Sequence, residues 1–217
     1  MPNVVLVRLC LHLKRHHYKG ERLRRSDVAE GNGDALQRVP NAPTELSIMK
    51  QTYQFQLALS PTHIEAYFLL RQQIFCQEQG IFETSDRDDF DSVAYPIIAV
   101  NNNDKVVGVV RIYEPEPGLW YGGRLGVHPD YRRGWKIGKG LIEKAVTTAN
   151  TWGCDRFLAT VQLPNVRFFQ RLHWNSIEEI DICKQPHHLM EADLDFYPPN
   201  NQTRPILSTQ LQQLSAS

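Results

Sequence analysis

The sequence lacks most features that would place a protein quickly. Its 217 residues hold only four cysteines, Cys10, Cys76, Cys154 and Cys183, with no Cys-x-x-Cys pair. That spacing argues against a disulfide framework or a structural zinc site and suits reduced thiols in a cytoplasmic protein. No apolar run approaches the roughly 18–20 residues needed to cross a bilayer. The apolar start "MPNVVLVRLCLHL" is broken by Arg8 and precedes its basic stretch, the reverse of a secretory signal. Glu21, Asp27 and Glu30 argue against an organellar transit peptide. Net charge is absent too: 24 Lys and Arg balance 24 Asp and Glu, so nothing points to nucleic acid or a membrane surface as a partner. Metal-ligand spacing is missing as well. His16-His17 and His187-His188 are adjacent pairs that do not project onto one site, and no carboxylate series resembles a calcium loop.

What remains is an ordinary globular composition, 41 % hydrophobic and 22 % charged, in a chain long enough for one sizeable core with tails. The charge is unevenly spread. Residues 1–48 carry eight Lys and Arg against five Asp and Glu, and the remainder carries sixteen against nineteen. From Lys14 to Leu46 no helical or strand period is sustained, and "AEGNGD" and "VPNAPTE" read as loop. Residues 1–48 are therefore expected to be a weakly ordered basic extension, with Met49 as an alternative start and part of the head as a gene-model artefact. Residues 197–217 read as a loosely docked polar tail, leaving 49–196 as the folded domain.

Within that domain the pattern is regular. "TYQFQLAL" alternates like a strand, and Ser60-Pro61 supplies a helix cap and a first-turn proline. Ile64, Phe68, Arg71 and Phe75 follow on one helical face, and then comes an acidic loop, "ETSDRDDFDS". "YPIIAV" and "KVVGVVRIYE" read as a hairpin around a turn rich in Asn and Asp, and "GLWYGGRLGV" as a strand whose glycine pair predicts a bulge or close backbone approach. A helix is expected from Lys139 to Trp152, burying Leu141, Ile142, Ala145, Val146 and Ala149 and ended by Gly153. "DRFLATVQ" reads as a strand, "NVRFFQRL" as a short helix, and "NSIEEIDIC" and "HHLMEADLDF" as closing strands. This is an α+β order on a mixed, mainly antiparallel sheet flanked by helices.

One stretch carries chemistry. "LGVHPDYRRGWKIGKGLI" joins a strand to the start of a helix through a loop with Gly134, Gly138, Gly140, Arg132, Arg133, Lys136 and Lys139. The first-turn N–H groups of a helix lack intrahelical partners and carry partial positive charge, so a phosphate can accept several at once if no side chain blocks it. Basic side chains add charge that pairs with phosphate oxygens. Glycine spacing alone leaves a plain turn equally open.

The same stretch resembles the acetyl-CoA loop of the GNAT (N-acetyltransferase) superfamily, Val-x-Pro-x-x-Arg followed by Arg/Gln-x-x-Gly-x-Gly/Ala. Val127, Pro129, Arg133, Gly138 and Gly140 match; aligned from the helix side, Lys136 stands where the family has its first loop glycine, and aligned from Arg132 the loop carries one extra residue. The resemblance extends over roughly Tyr53 to Asp195, through "LRQQIFCQEQGIFETSDRDDFD", "ATVQLPNVRFFQRLHW" and "QPHHLMEADL". More narrowly it is similar to an uncharacterised bacterial branch encoded in nitrilase-associated gene clusters. It implies a sheet of about seven strands, acetyl-CoA as co-substrate in a V-shaped opening between two strands, and no metal. It also implies a small-molecule amine as acceptor and is compatible with a homodimer.

The resemblance assigns roles residue by residue. Leu125, Gly126 and Val127 would offer strand-edge backbone to the acetyl and pantetheine portions. Arg132 and Arg133 through Gly134, Trp135, Lys136, Ile137, Gly138, Lys139 and Gly140 would wrap the pyrophosphate. Gln162 and Asn165 would line the opposite wall. Where many members carry a tyrosine that protonates the leaving thiolate, this chain has Phe169, which leaves Tyr131, Tyr121, a water or no acid at all. An attacking amine must be neutral, so something must take its proton; the candidates are Glu78, Glu114 and His187. The acidic run Asp86, Asp88, Asp89 and Asp91 would either attract a cationic amine or form a solvated or capping loop. Two other functions stay open: a non-catalytic CoA-binding sensor or complex subunit, and acyl transfer of the homoserine-lactone-synthase kind.

Overall fold

The computed structural model describes residues 6–7, 52–182 and 185–207. Expectations for the rest of residues 1–51, for Cys183, and for 208–217 lie outside the described residues. The elements are β1 (Leu6–Val7), β2 (Gln54–Leu57), α1 (Pro61–Arg71), β3 (Tyr95–Val100), β4 (Val106–Glu116), β5 (Leu119–Val127), α2 (Lys136–Thr151), β6 (Arg156–Gln162), α3 (Val166–Gln170), β7 (Trp174–Ile182) and β8 (Gln185–Ala192). The sheet runs β2-β3-β4-β5-β6-β8-β7, antiparallel except for the parallel β5–β6 pair, and β1 joins β6 in parallel.

Ser60 caps α1 as its position before Pro61 dictates, its Oγ accepting from His63 N at 3.2 Å. Ile64, Phe68, Arg71 and Phe75 are all buried, and the helix runs straight into a π-helical segment, Gln72–Glu78. Both faces of β3 are covered, which explains its unbroken apolar run. Ile97 and Ala99 join the cluster that contains α2, and Ile98 and Val100 join the cluster around α1.

Helix α2 begins three residues earlier than its sequence suggests, at Lys136 rather than Lys139. Gly134, at φ +81°, turns the chain left-handed, and the Trp135 carbonyl already accepts from Lys139 N at 2.9 Å. Ile137 thereby extends the buried stripe of Leu141, Ile142, Ala145, Val146 and Ala149 by one turn. Glycine's poor helix propensity hid this start, and packing overrides it. Gly140 is set by that packing, because a Cβ there would lie 2.2 Å from the Phe55 ring.

The C-terminal segment is fastened along α2. Trp152 Nε1 donates to Gln202 O at 2.8 Å, and Arg204 donates to Glu114 and Tyr95 while lying against the rings of Tyr95, Trp120 and Trp152.

Candidate active site

Strands β5 and β6 pair only from Leu119–Gly122 to Arg156–Ala159. Beyond that point they part, and β5 from Gly123 to Val127 has no β6 partner. The edge of β6 at Thr160 and Val161 is taken by Leu6 and Val7 of β1, since β8 holds its other edge. The divergence begins at a bulge. Val109 faces Gly126 and Arg111 faces Gly123, so Val110 stands against both Arg124 and Leu125. The bulge lies one residue after the Gly122-Gly123 pair that predicts it, at Arg124, whose φ is +53°.

A non-glycine residue holds that conformation only when its surroundings over-determine it. Here the Arg124 side chain does so. Nε and Nη2 donate to the Asp86 carbonyl at 3.0 and 2.8 Å, and Nη2 also donates to Asp88 at 3.0 Å. Arg111 forks onto Asp88 at 2.6 Å twice, and Arg71 onto Asp91 and Asp86. Three arginines and three aspartates thus form a buried, neutral network between α1, the acidic loop and β4–β5. Burial alone would raise the Asp91 pKa, but hydrogen bonds and charge from Arg71 and Arg111 hold it well below the usual carboxylate range. Burial, then repulsion from Arg111 and Arg71, lowers Arg124 to about 10.

This network decides between the two readings of the acidic run, against the attraction of a cationic amine and for the capping one at Asp88. Asp86, Asp88 and Asp91 are consumed by arginines, with Asp88 also capping the 3-10 turn Asp89–Ser92, and only Asp89 is exposed. Arg111 and Arg124 were not foreseen as part of the site. Their signal was a lone charge at an inward position of an otherwise apolar strand.

Past Val127 the chain makes a 3-10 turn, Pro129–Tyr131, and enters α2. The Trp135 side chain makes no cap bond, so the first-turn donors of α2 stay open toward the loop. Lys136 is the first helical residue and not a loop position, and its N–H is one of those donors. Its side chain, with those of Arg133 and Trp135, is exposed. Arg132 is different. Its Nε donates to Val127 O at 2.8 Å and its terminal nitrogens fork onto Glu78 at 2.5 and 2.6 Å, which ties the loop to the end of the π segment. Gly126 serves the same joint, because a Cβ there would meet Ile74 at 2.9 Å.

On the opposite wall Asn165 is 3 % exposed, and its Nδ2 has no hydrogen-bond partner. An orphaned buried amide donor beside the divergence fits the carbonyl groups of a pantetheine arm. Gln162 stands directly across from His187 on β8. His187 is 1 % exposed, and its Nδ1 donates to Gln185 O at 2.7 Å, which makes Nε2 the nitrogen that can take a proton.

Not all candidates gather here. Glu114 lies at the β4–β5 hairpin, accepting from Gly118 N and Arg204, roughly 20 Å along the strands from the loop. The Tyr131 hydroxyl accepts from Asn101 Nδ2 at 3.2 Å, on the β3–β4 turn. Phe169 is buried edge-on against Phe168 and Trp174, lining a small apolar cavity with Gly122, Gly123 and Ala159 at the point where the strands part. Among the described residues no group of His, Cys, Asp or Glu is arranged to hold a metal, and no helix is long and apolar enough to cross a membrane.

Several solved structures share this architecture. A proposed N-acetyltransferase of Lactobacillus plantarum superposes with a TM-score of 0.60 at 22 % identity, covering 65 % of this chain and 98 % of that one. ElaA of Escherichia coli gives 0.57 at 24 %, over 66 % and 99 %. An acyl-CoA N-acyltransferase of Pseudomonas aeruginosa gives 0.52 at 17 %, over 65 % and 99 %. Identities this low speak for the fold alone. No curated protein matches the chain. The acetyltransferase (GNAT) family model matches residues 59–174, more than half of the sequence and spanning α1, the diverging strands and the loop. With fold and sequence agreeing, the chain belongs to the GNAT acetyltransferase family.

Proposed function

We propose that this acyltransferase moves an acetyl group from acetyl-CoA to the amine of a small molecule by direct attack in a ternary complex. The carrying observation is the juxtaposition of the β5–β6 divergence with the uncapped first turn of α2 and the orphaned Asn165 amide. Acetyl-CoA, when bound, supplies the thioester carbon that the amine attacks. The first turn of α2 receives the pyrophosphate, with Arg133 and Lys136 beside it. Leu125, Gly126 and Val127 offer backbone to the arm along β5, where a fixed N–H near the carbonyl oxygen lowers the barrier most. Asn165 orients the arm from the other wall.

His187 is the proposed proton acceptor, because Glu78 and Glu114 are each held by an arginine. It stands roughly 10 Å along β6 from the branch point. Phe169 itself carries no hydroxyl, and the thiolate leaves without a dedicated acid, which an ordinary thiol pKa near ~8.5 tolerates. The narrower likeness to the nitrilase-cluster branch is part of this proposal.

Calorimetric titration with acetyl-CoA tests the binding half, and absence of heat would sink the proposal. Free thiol release across an amine panel tests the transfer half. Binding without turnover at any pH would point instead to a CoA-sensing module.

A further inference from the structure

A second concavity lies along α1, apart from the diverging strands. Pro61, Glu65, Leu69 and Gln72, at helical spacing, form one wall, and the acidic loop from Thr84 to Arg87 forms the other. The groove between them has a volume of about 640 Å³, within the range of small-molecule sites. Gln72 Nε2 donates to Thr84 O at 3.5 Å and bridges the two walls. Among the described residues none from β5, β6 or the loop entering α2 borders the groove, and α1 itself packs on β3 and β4.

The floor is apolar. Ile64 and Phe68 belong to the core and reach the groove with their edges, and Leu69 is 59 % exposed. A lone exposed leucine is ordinary, but this one stands in a concavity between groups of opposite charge. Glu65 is exposed on the helix wall and has no ion pair among the described residues. On the loop wall the Arg87 guanidinium is held 4.0 Å from the centroid of the Phe68 ring. Ser85 Oγ accepts from Arg87 N at 3.2 Å and shapes the turn that presents it.

We propose that this groove binds a free α-amino acid with an apolar side chain. Its ammonium faces Glu65, its carboxylate faces Arg87, and its side chain covers Leu69 and the edges of Ile64 and Phe68. Opposite charges on the two walls favour a zwitterion, because an amine or an acid alone leaves one wall unmatched. Both walls meet solvent, so each ion pair contributes little and the affinity is modest, on the order of 0.1–1 mM. The groove also connects to the bulge. Asp86 borders it, and the Asp86 carbonyl accepts from both Arg71 and Arg124. An amino acid that bridges Glu65 and Arg87 pins the loop to α1, and through Asp86 it steadies Arg124.

The test is a two-dimensional NMR titration of the full chain with L-leucine and with its two half-analogues, 3-methylbutylamine and 4-methylpentanoate. L-Leucine is expected to shift the signals of Leu69 and Thr84 and to bind at least fivefold tighter than either analogue. Glu65→Gln should bring the ratio of L-leucine to 4-methylpentanoate close to one, and Arg87→Gln should do the same for 3-methylbutylamine. Bound L-leucine should also slow hydrogen exchange of the Arg124 and Leu125 amides. An analogue that binds wild type as tightly as L-leucine, ratios unchanged in the variants, or unmoved Leu69 and Thr84 signals would overturn the site. Binding with unaltered exchange at Arg124 and Leu125 would overturn its link to the bulge. No arm uses acetyl-CoA, so failure here leaves the proposed donor standing.

Discussion

Arg71 donates from Nη1 and Nη2 to the two carboxylate oxygens of Asp91, at 2.5 and 2.9 Å, with both side chains at most 2 % exposed. A third bond, from Nε, reaches Asp86 at 2.7 Å. This pair anchors the network that fixes the bulge, and the bulge starts the divergence of β5 from β6. Removing the guanidinium leaves two buried carboxylates short of charge. Arg71→Met is expected to destabilise the fold by about 3–5 kcal/mol, read as a lowered urea midpoint. A loss below about 1 kcal/mol would mean that Arg111 and Arg124 hold the loop alone.

The same pair predicts acid sensitivity. The folded pKa of Asp91 is below its unfolded value, so its stabilisation is full above the unfolded value near ~4 and is lost as pH falls toward the folded one. Arg71 from α1 and Arg111 from β4 face it, and both stay charged throughout. Stability measured between roughly pH 5 and 2 should fall more steeply in the wild type than in Asp91→Asn, by up to one proton. Parallel slopes would assign acid unfolding to other carboxylates.

Gly140 stands against the Phe55 ring with no room for a methyl group. Gly140→Ala should destabilise by about 1–3 kcal/mol despite alanine's better helix propensity. Phe55→Leu should recover part of that loss in the double variant, which a double-mutant cycle measures. Additive effects would show that the ring moves aside freely.

Glu78 accepts both terminal nitrogens of Arg132. Read as a brace, its role is to hold the loop that enters α2. Glu78→Gln is then expected to raise KM for acetyl-CoA about three- to tenfold and leave the pH profile of kcat unshifted. Loss of the acidic limb of that profile, with KM unchanged, would make Glu78 the proton acceptor. His187→Gln is the matching variant, expected to remove the acidic limb.

Much of this was legible in the sequence where local chemistry decides. Ser60-Pro61 started α1, the stripe from Leu141 to Ala149 faced the core, and the strands from β2 to β8 each carried a pattern of their own, whereas β1 fell in the stretch read as an extension. The loop was legible through its spacing from Val127 to Gly140. What was not legible depended on contacts distant in sequence. Whether Asp86, Asp88 and Asp91 met solvent or arginines depended on Arg111 and Arg124, up to 38 residues away. Glu114 drew attention as a strand-end carboxylate, and only the hairpin's direction placed it far from the loop. The first turn of α2, with Gly138, looked like loop because helix propensity counts against glycine, whereas the burial of Ile137 that extends the helix is a long-range fact.

The last prediction concerns β1. Leu6 and Val7 pair with Thr160 and Val161 on the edge of β6 that faces the divergence. A pantetheine arm lying there would need the same backbone groups, so strand and donor compete for one edge. Binding measured on the full chain is then weakened by whatever free energy the β1 pairing contributes. Val7→Pro removes one N–H and fixes φ, which disfavours the pairing without touching the β5 wall. The variant should bind acetyl-CoA about threefold or more tightly, and the Thr160 and Val161 amides should exchange faster in its unliganded form. In the wild type, saturating acetyl-CoA should make the segment around Leu6 more sensitive to protease as the arm displaces it. Equal affinity in the two proteins, with the exchange difference present, would show that the arm runs along β5 alone and leaves the β6 edge to β1.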